Sequence, residues 1–118
     1  MSMKAWLSPR FVPPLAVVLA LSWFAHNSRP HAAAAPVTHT VEIDGARFVP
    51  DALIVNAGDS VVWVNRDPFP HTATSEAGRF DSQEIAPEQS WRYTAGARGE
   101  FSYTCTLHPT MTGSLRVK

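Results

Sequence analysis

Apolar and polar residues alternate along most of the chain after residue 36, and this alternation predicts short β-strands. Turn-forming glycine, proline, asparagine and aspartate separate the alternating segments, and no apolar run at helical spacing follows residue 36. Seven or eight short strands with frequent turns indicate an all-β sandwich or barrel. The predicted strands are residues 37–43, 47–50, 52–55, 60–65, 72–75, 90–94, 101–105 and 114–118.

The first thirty-five residues have a different pattern from the rest of the chain. Two basic residues, Lys4 and Arg10, precede fifteen uncharged and mostly apolar residues, 11–25, and four alanines end the segment. This order is typical of a secretory signal peptide. A retained anchor helix is the alternative, but the apolar stretch contains two prolines and falls short of the roughly 20 residues that span a bilayer. We therefore expect residues 1–35 to be a cleaved signal peptide for Sec-type export to the periplasm or another extracytoplasmic space, and residues 36–118 to be the domain.

Charge and cysteine content narrow the possible functions of that domain. All ten acidic residues but only seven of the ten basic residues lie after residue 35, which leaves a formal charge of −3. A mildly acidic surface argues against a nucleic-acid partner, because phosphate contact needs a basic face. A domain of this size has a small core, and its single cysteine cannot form an internal disulfide. With a disulfide excluded, a bound metal ion is the remaining way to cross-link and stabilise a domain of this size.

Three soft-metal ligand groups lie within seven residues of each other late in the chain. Cys105, His108 and Met111 are spaced as Cys-x2-His-x2-Met at the end of an alternating strand. Pro109 and Gly113 break regular structure, so we expect the histidine and the methionine to lie on a turn beyond that strand. Taken alone, the cysteine and the methionine are each more typical of a packed core. Their combination with an imidazole favours a metal site.

A type 1 copper site requires two imidazoles, a thiolate and a weak axial ligand, which is often methionine. Besides His108, the histidines after residue 35 are His39 and His71. His71 is the better second imidazole because it follows a buried strand and a proline-rich loop. His39 has the polar-facing parity of the first strand and is expected to be an ordinary surface residue.

Several stretches of the chain together resemble the cupredoxins, the small blue copper proteins. These stretches are Gly58–Asn65, Pro70-His71, Phe80–Ser82, Ala86–Ser90 and Tyr103–Met111. The spacing of the last stretch is most similar to amicyanin-like and short plastocyanin-like members. The resemblance implies a Greek-key β-sandwich with one copper ion that cycles between Cu(I) and Cu(II), and it implies the ligands His71, Cys105, His108 and Met111.

The chain departs from the family pattern at two positions beside the expected ligands. Thr72 replaces an asparagine that usually ties the two ligand loops together, and its hydroxyl is expected to make a shorter version of that bond. Leu107 replaces a proline found in amicyanins, so its backbone N–H is available to donate to Cys105 Sγ. Donors to a thiolate stabilise Cu(I), so this bond would raise the reduction potential.

The function that these observations favour is single-electron transfer between redox proteins outside the cytoplasm. The alternative is a periplasmic copper-binding or delivery protein without redox turnover. An enzyme is disfavoured, because copper enzymes built on this fold use additional His-x-His pairs and this sequence has none. We expect a monomer without a stable membrane span that docks its partners through an apolar face around His108. This face comprises Phe69, Pro70, Leu107 and Pro109.

Overall fold

The computed structural model of the protein describes residue 3, residues 9–15 and residues 34–118. The chain divides into two units, Met1–Ala32 and Ala33–Lys118. Most of the predicted signal peptide, residues 1–35, lies outside the described residues, and its cleavage stays a prediction. Within the described ranges, no helix is long and apolar enough to cross a membrane.

The second unit is built from eight β-strands in two four-stranded sheets. Sheet 1 has the order β2-β1-β4-β6 and sheet 2 the order β3-β8-β7-β5. The predicted all-β sandwich is confirmed, and three predicted strands match β3, β4 and β6 residue for residue. The strands are β1 (Thr38–Ile43), β2 (Phe48–Val49), β3 (Ala52–Val55), β4 (Ser60–Asn65), β5 (Thr74–Ser75), β6 (Ser90–Thr94), β7 (Gly99–Cys105) and β8 (His108–Val117).

Each sheet combines parallel and antiparallel pairs. In sheet 1, β1 runs parallel to β4 with Thr38 opposite Ser60. In sheet 2, β3 runs parallel to β8 with Ala52 opposite Ser114. β7 and β8 form the central antiparallel hairpin of sheet 2. Parallel neighbours need long crossover connections, so the chain passes between the two sheets rather than forming successive hairpins.

Aromatic side chains fill the space between the sheets. Trp63 from β4 is fully buried and lies edge-on to Tyr103 from β7, with 5.5 Å between ring centroids. Phe80 contacts both rings, at 5.5 and 5.8 Å. Burial raises the pKa of Tyr103 to about 12, so the phenol stays neutral at physiological pH. Large rings from both sheets therefore make one core, in agreement with the alternating pattern of the sequence.

β8 begins earlier than the sequence predicted. It starts at His108 and continues through Pro109 and Gly113, so only two residues separate it from β7 and the predicted turn at His108 and Met111 is wrong. Gly113 does not end the strand; it makes room for an aromatic ring. A Cβ atom there would lie 2.4 Å from Cζ of Tyr103.

An irregularity in the β7–β8 pairing explains how proline is tolerated in β8. Thr104 pairs with Thr112, but the next residue, Cys105, pairs with His108. Residues 109–111 are therefore extra residues on β8, as in a β-bulge. Proline is compatible with such positions because no ladder hydrogen bond is required of it. The bulge places His108 beside Cys105 and carries Met111 toward the core.

Candidate metal centre

Three of the predicted ligand side chains converge at one end of the sandwich. One ligand atom from each of His71, Cys105 and His108 lies within 4.8 Å of the others. Cys105 Sγ is 3.7 Å from Nδ1 of His71 and 3.7 Å from Nδ1 of His108. His71 and Cys105 are fully buried, and His108 is half-buried. The sequence prediction that these distant residues come together is confirmed by this geometry.

The spacing of these atoms fits a shared metal ion. First-row metals bind thiolate at about 2.3 Å and imidazole at about 2.0 Å, so two such ligands about 120° apart are roughly 3.7 Å from each other. Both measured sulfur–nitrogen separations have this value. The donor set of one thiolate and two imidazoles suits copper held in a trigonal plane.

Met111 lies on the bulged part of β8. Its side chain is 3% exposed and belongs to the hydrophobic core cluster that includes Cys105. A buried thioether following His108 by three residues is compatible with an axial ligand and with a packed core residue alike. The burial of Met111 is consistent with both roles.

The carboxylate of Asp67, which no sequence pattern indicated, holds the imidazole of His71. Asp67 Oδ2 lies 2.7 Å from Nε2 of His71, and the same carboxylate accepts the backbone N–H groups of Gly45 and Ala46 at 2.8 Å. Burial raises the pKa of Asp67, but these hydrogen bonds outweigh it, so the pKa lies below its usual value. An ionised carboxylate only accepts, so Nε2 of His71 carries a proton, and in a neutral ring the lone pair lies on Nδ1, 3.7 Å from Cys105 Sγ.

The loop between β4 and His71 is folded around a buried amide. Asn65 is fully buried, and its Nδ2 donates to the carbonyls of Phe69 and Ile85 at 2.8 and 2.9 Å. Its Oδ1 accepts the N–H of Asp67 at 2.9 Å. His71 and Ile85 also exchange two backbone hydrogen bonds. Asn65 thus fixes the proline-rich loop that positions both the carboxylate and the imidazole.

Thr72 connects the two ligand loops, as predicted. Its Oγ1 accepts the N–H of Thr106 at 2.9 Å, which joins the segment after His71 to the segment after Cys105. Its own N–H donates to Cys105 Sγ at 3.3 Å. The expected bond from Leu107 N–H to this sulfur is not found among the described residues; the donor beside the sulfur is Thr72, because the two ligand loops pack against each other.

Apolar residues lie beside the less buried imidazole, either in space or along the chain. The ring of Phe69 lies 5.2 Å from His71 and 5.8 Å from His108, centroid to centroid. Phe69 and Leu107 are 43% and 45% exposed although both are large and apolar. Pro109 is exposed and Pro70 is half-buried. We call Phe69, Pro70, Leu107 and Pro109 the apolar rim.

The third histidine of the domain has a structural partner away from this cluster. His39 Nε2 lies 3.0 Å from Asp59 Oδ2, and the His39 side chain is 25% exposed. Asp59 also accepts the N–H groups of Val37 and Asn56. These bonds, led by that of Val37, lower its pKa to about 2. His39 is therefore not the simple surface residue expected from the sequence, although it is absent from the ligand cluster.

A β-sandwich with a buried cysteine and two imidazoles brought together is the arrangement typical of blue copper proteins. The chain belongs to the cupredoxin-like domain family, whose family model matches residues 15–117. Copper is therefore its cofactor, and its role is that of a type 1 copper electron-transfer protein.

Curated relatives agree with this family. An amicyanin from Paracoccus denitrificans is 31% identical over 99 residues, which cover 78% of this chain and 76% of that protein. A plastocyanin from Prochlorothrix hollandica is 30% identical along an alignment of 131 positions that covers both chains completely. The resemblance to amicyanin-like and plastocyanin-like cupredoxins is confirmed.

Solved structures show the same fold. A methionine-to-alanine mutant of amicyanin in its Cu(I) form superposes with a TM-score of 0.65 at 29% identity, covering 69% of this chain and 82% of that chain. A copper-containing nitrite reductase from Thermus scotoductus superposes with a TM-score of 0.66 at 29% identity. That match covers 73% of this chain but only 23% of the reductase chain, so it concerns one part of a larger protein.

Proposed function

We propose that this protein carries one electron at a time on a single type 1 copper ion held by His71, Cys105 and His108, with Met111 as the axial ligand. The observation that supports this most strongly is the convergence of Cys105 Sγ and one ring nitrogen from each histidine within 4.8 Å. Bound copper supplies a one-electron couple between Cu(I) and Cu(II). No substrate bond needs to be made or broken.

The residues around the cluster keep the ligands in place while the charge of the site changes. Asp67 fixes the ring orientation and the proton of His71. Thr72 donates to the Cys105 sulfur and holds the following residue, Thr106. A site whose ligands do not move on reduction has a small reorganisation cost, which speeds electron transfer. Most of the ligand cluster is buried, so water is excluded from it.

The apolar rim is the proposed docking face for redox partners. Phe69 lies 5.8 Å from the ring of His108, and Leu107 and Pro109 flank His108 in the chain. Because His108 is only half-buried, its imidazole is the proposed exit for the electron. Exposed large apolar side chains that are clustered in this way are typical of interaction sites. A small face also suits a carrier that must leave its partner quickly. We propose that the protein docks through this rim as a monomer.

The proposed role is that of a carrier and not of an enzyme. The five histidines of the sequence include no His-x-His pair, so the chain alone lacks the extra ligands for a second copper site. The nitrite reductase that matches in fold is more than four times as long as the matched part. We propose that the carrier works outside the cytoplasm, because residues 1–35 have the composition of a secretory signal peptide.

Absorption spectroscopy of the protein loaded with Cu(II) tests this proposal. We expect an intense blue thiolate-to-copper band that is bleached by a mild reductant and restored by an oxidant over repeated cycles. The Cys105→Ser variant should lose the band, and the His39→Ala variant should keep it. A protein that binds only Cu(I), stays colourless and passes its copper to a chelator would instead be a delivery protein.

A further inference from the structure

A tight turn joins β1 to β2 beside the buried carboxylate of Asp67. Asp44 and Arg47 close this turn with two backbone hydrogen bonds, at 3.0 and 3.2 Å. Between them, Gly45 and Ala46 have φ angles of 60° and 54°, which lie in the left-handed region. Two consecutive residues of this kind are typical of a type I′ hairpin turn, in which glycine and asparagine are the favoured residues. The turn therefore holds an alanine in a conformation that alanine rarely adopts.

Both N–H groups that the turn does not use internally point at one carboxylate. The N–H of Gly45 donates to Asp67 Oδ1 and the N–H of Ala46 donates to Oδ2, each at 2.8 Å. Oδ2 also lies 2.7 Å from Nε2 of His71. Because hydrogen bonds weaken steeply when they are bent, a carboxylate bound at both oxygens cannot rotate freely. The left-handed backbone of the turn thus fixes the orientation of the group that binds the imidazole.

The turn is held in place by contacts that do not involve Asp67. Phe48, which follows the turn, is 2% exposed and lies 4.7 Å from the ring of Tyr103, centroid to centroid. Ile43, which precedes the turn, is fully buried and pairs with Phe48 across the hairpin. Core packing on both sides of the turn makes it the rigid partner, and the carboxylate is the group that is positioned.

The backbone of Asp67 is fixed separately from its carboxylate. Its N–H donates to Oδ1 of the buried Asn65 at 2.9 Å. The Asp67 side chain can still rotate about two bonds, and among the described residues its carboxylate binds only Gly45, Ala46 and His71. Without the turn, the carboxylate would have no anchor other than the imidazole that it is meant to orient.

We propose that Gly45 and Ala46 are positioning residues of the copper site, whose left-handed backbone aims two N–H groups at Asp67 and thereby fixes the bond between Asp67 and His71. The inference rests on the proposed role of His71 as a copper ligand. Neither residue belongs to the cluster of ligand atoms. Their effect depends on backbone conformation and not on a side chain, as is typical of strain that is kept at a functional site.

Two glycine substitutions test this proposal by changing backbone strain alone. Gly45 and Gly78 both have positive φ angles, 60° and 70°, and a Cβ atom at either position would meet no atom within 4 Å. Alanine therefore adds the same kind of strain at both positions without a clash. The N–H of Gly45 binds Asp67, whereas the N–H of Gly78 binds the carbonyl of Ser75. The Gly78→Ala variant is thus the matched control.

Hydrogen exchange of the His71 Nε2 proton reports the bond to Asp67. It is measured by NMR in the full chain, first without copper and then with diamagnetic Cu(I). We expect exchange about fivefold faster in the Gly45→Ala variant, because an L-residue disfavours the left-handed conformation and the turn opens more often. The Gly78→Ala variant should exchange like the parent. Equal rates in these two variants would overturn the proposal.

A second substitution in the same turn should reverse the effect. The Ala46→Gly change relieves strain at the neighbouring residue and keeps its N–H group. Added to Gly45→Ala, it should restore the parental exchange rate of the His71 proton. Exchange that stays fast in the double variant would show that backbone strain is not the cause.

The reduction potential separates positioning from a general loss of stability. A carboxylate that binds Nε2 less firmly gives less negative charge to the ring, which disfavours Cu(II), so the Gly45→Ala variant should have a raised potential. In an Asp67→Asn background the same change should leave the potential unaltered, because the group through which the turn acts is already lost. A rise that persists in that background would contradict the proposal.

Amide exchange within β4 serves as a check on folding in every variant and should not change. The exchange measurement without copper does not depend on electron transfer. A missing blue band in the parent would therefore defeat the proposed function, while equal exchange in the two glycine variants would defeat only the positioning role of the turn.

Discussion

The carboxylate of Asp67 binds the far nitrogen of His71 at 2.7 Å and also holds the turn after β1 through two backbone N–H groups. One buried anion therefore orients the imidazole and anchors the loop in which it lies. This arrangement resembles the carboxylate–histidine–metal triads of other metal sites, in which the carboxylate fixes the ring and increases its basicity.

The Asp67→Asn variant should bind copper more weakly, by about tenfold to a hundredfold, because a neutral amide neither fixes the ring as firmly nor increases its basicity. Its reduction potential should rise, since removal of a negative charge disfavours Cu(II). Competition with a chelator measures the affinity, and voltammetry measures the potential. The Asp44→Asn variant removes an exposed carboxylate from the turn after β1 as a control. If both variants bind copper like the parent, the role assigned to Asp67 is wrong.

The Gly113→Ala variant should be destabilised by about 1–3 kcal/mol, the usual cost of overpacking a core. The added Cβ would lie 2.4 Å from Cζ and 2.6 Å from the hydroxyl oxygen of Tyr103, and the buried ring has little room to move. Urea unfolding measures the difference. The Gly96→Ala variant is the matched control, because a Cβ there meets no atom within 4 Å, and its stability should stay within about 0.5 kcal/mol of the parent. Equal stability of both variants would refute the packing argument.

Truncation of the apolar rim should slow electron exchange without changing the copper site. In the Leu107→Ala variant we expect the rate of electron self-exchange to fall roughly fivefold, which corresponds to a loss of about 1 kcal/mol of apolar burial in the docked pair. NMR line broadening in mixed Cu(I) and Cu(II) samples gives the rate. The Ile54→Ala variant removes another exposed apolar residue, 55% exposed on β3, and should exchange electrons like the parent. A change in the blue band of either variant would point to a disturbed site instead.

Acid should destabilise the domain through Asp59. Its pKa falls from 3.8 to about 2 on folding, so the unfolded chain takes up the proton at a higher pH than the folded one. The stability from this group is complete above the unfolded pKa and is lost as the pH falls from about 4 to about 2. Chemical unfolding of the copper-free chain at several pH values measures this loss. The Asp59→Asn variant should be less stable at neutral pH and show a shallower loss; parallel curves would contradict the assignment.

The sequence predicted the fold because strand alternation is a local pattern. It predicted the convergence of the distant His71 with Cys105 and His108 because a type 1 copper site requires a second imidazole. Alternation locates β3, β4 and β6, and the spacing of Cys105 and His108 follows from one hairpin. The choice of His71 over His39 depended on its position after a buried strand, and the geometry agrees.

The structural features that the sequence did not predict depend on contacts between distant segments of the chain. The start of β8 at His108 requires the register shift opposite Cys105, which no local pattern specifies. Asp67 precedes His71 by four residues, but only the folded proline-rich loop turns that spacing into a hydrogen bond. The hydrogen bond to the Cys105 sulfur was expected from Leu107 but is donated by the N–H of Thr72. The reason is the same, because this donor lies in the other ligand loop.

The parallel pairing of β3 with β8 has a consequence for how the protein folds. Ala52 lies opposite Ser114, so the chain must close a loop of about sixty residues before these strands meet. Contacts between such distant residues make folding slow, on the scale of milliseconds to seconds. The hairpin of β7 and β8 needs no such closure, so we expect it to bring Cys105 and His108 together first. In a partly folded molecule, copper would therefore encounter two of its proposed ligands, Cys105 and His108, before His71 is in place.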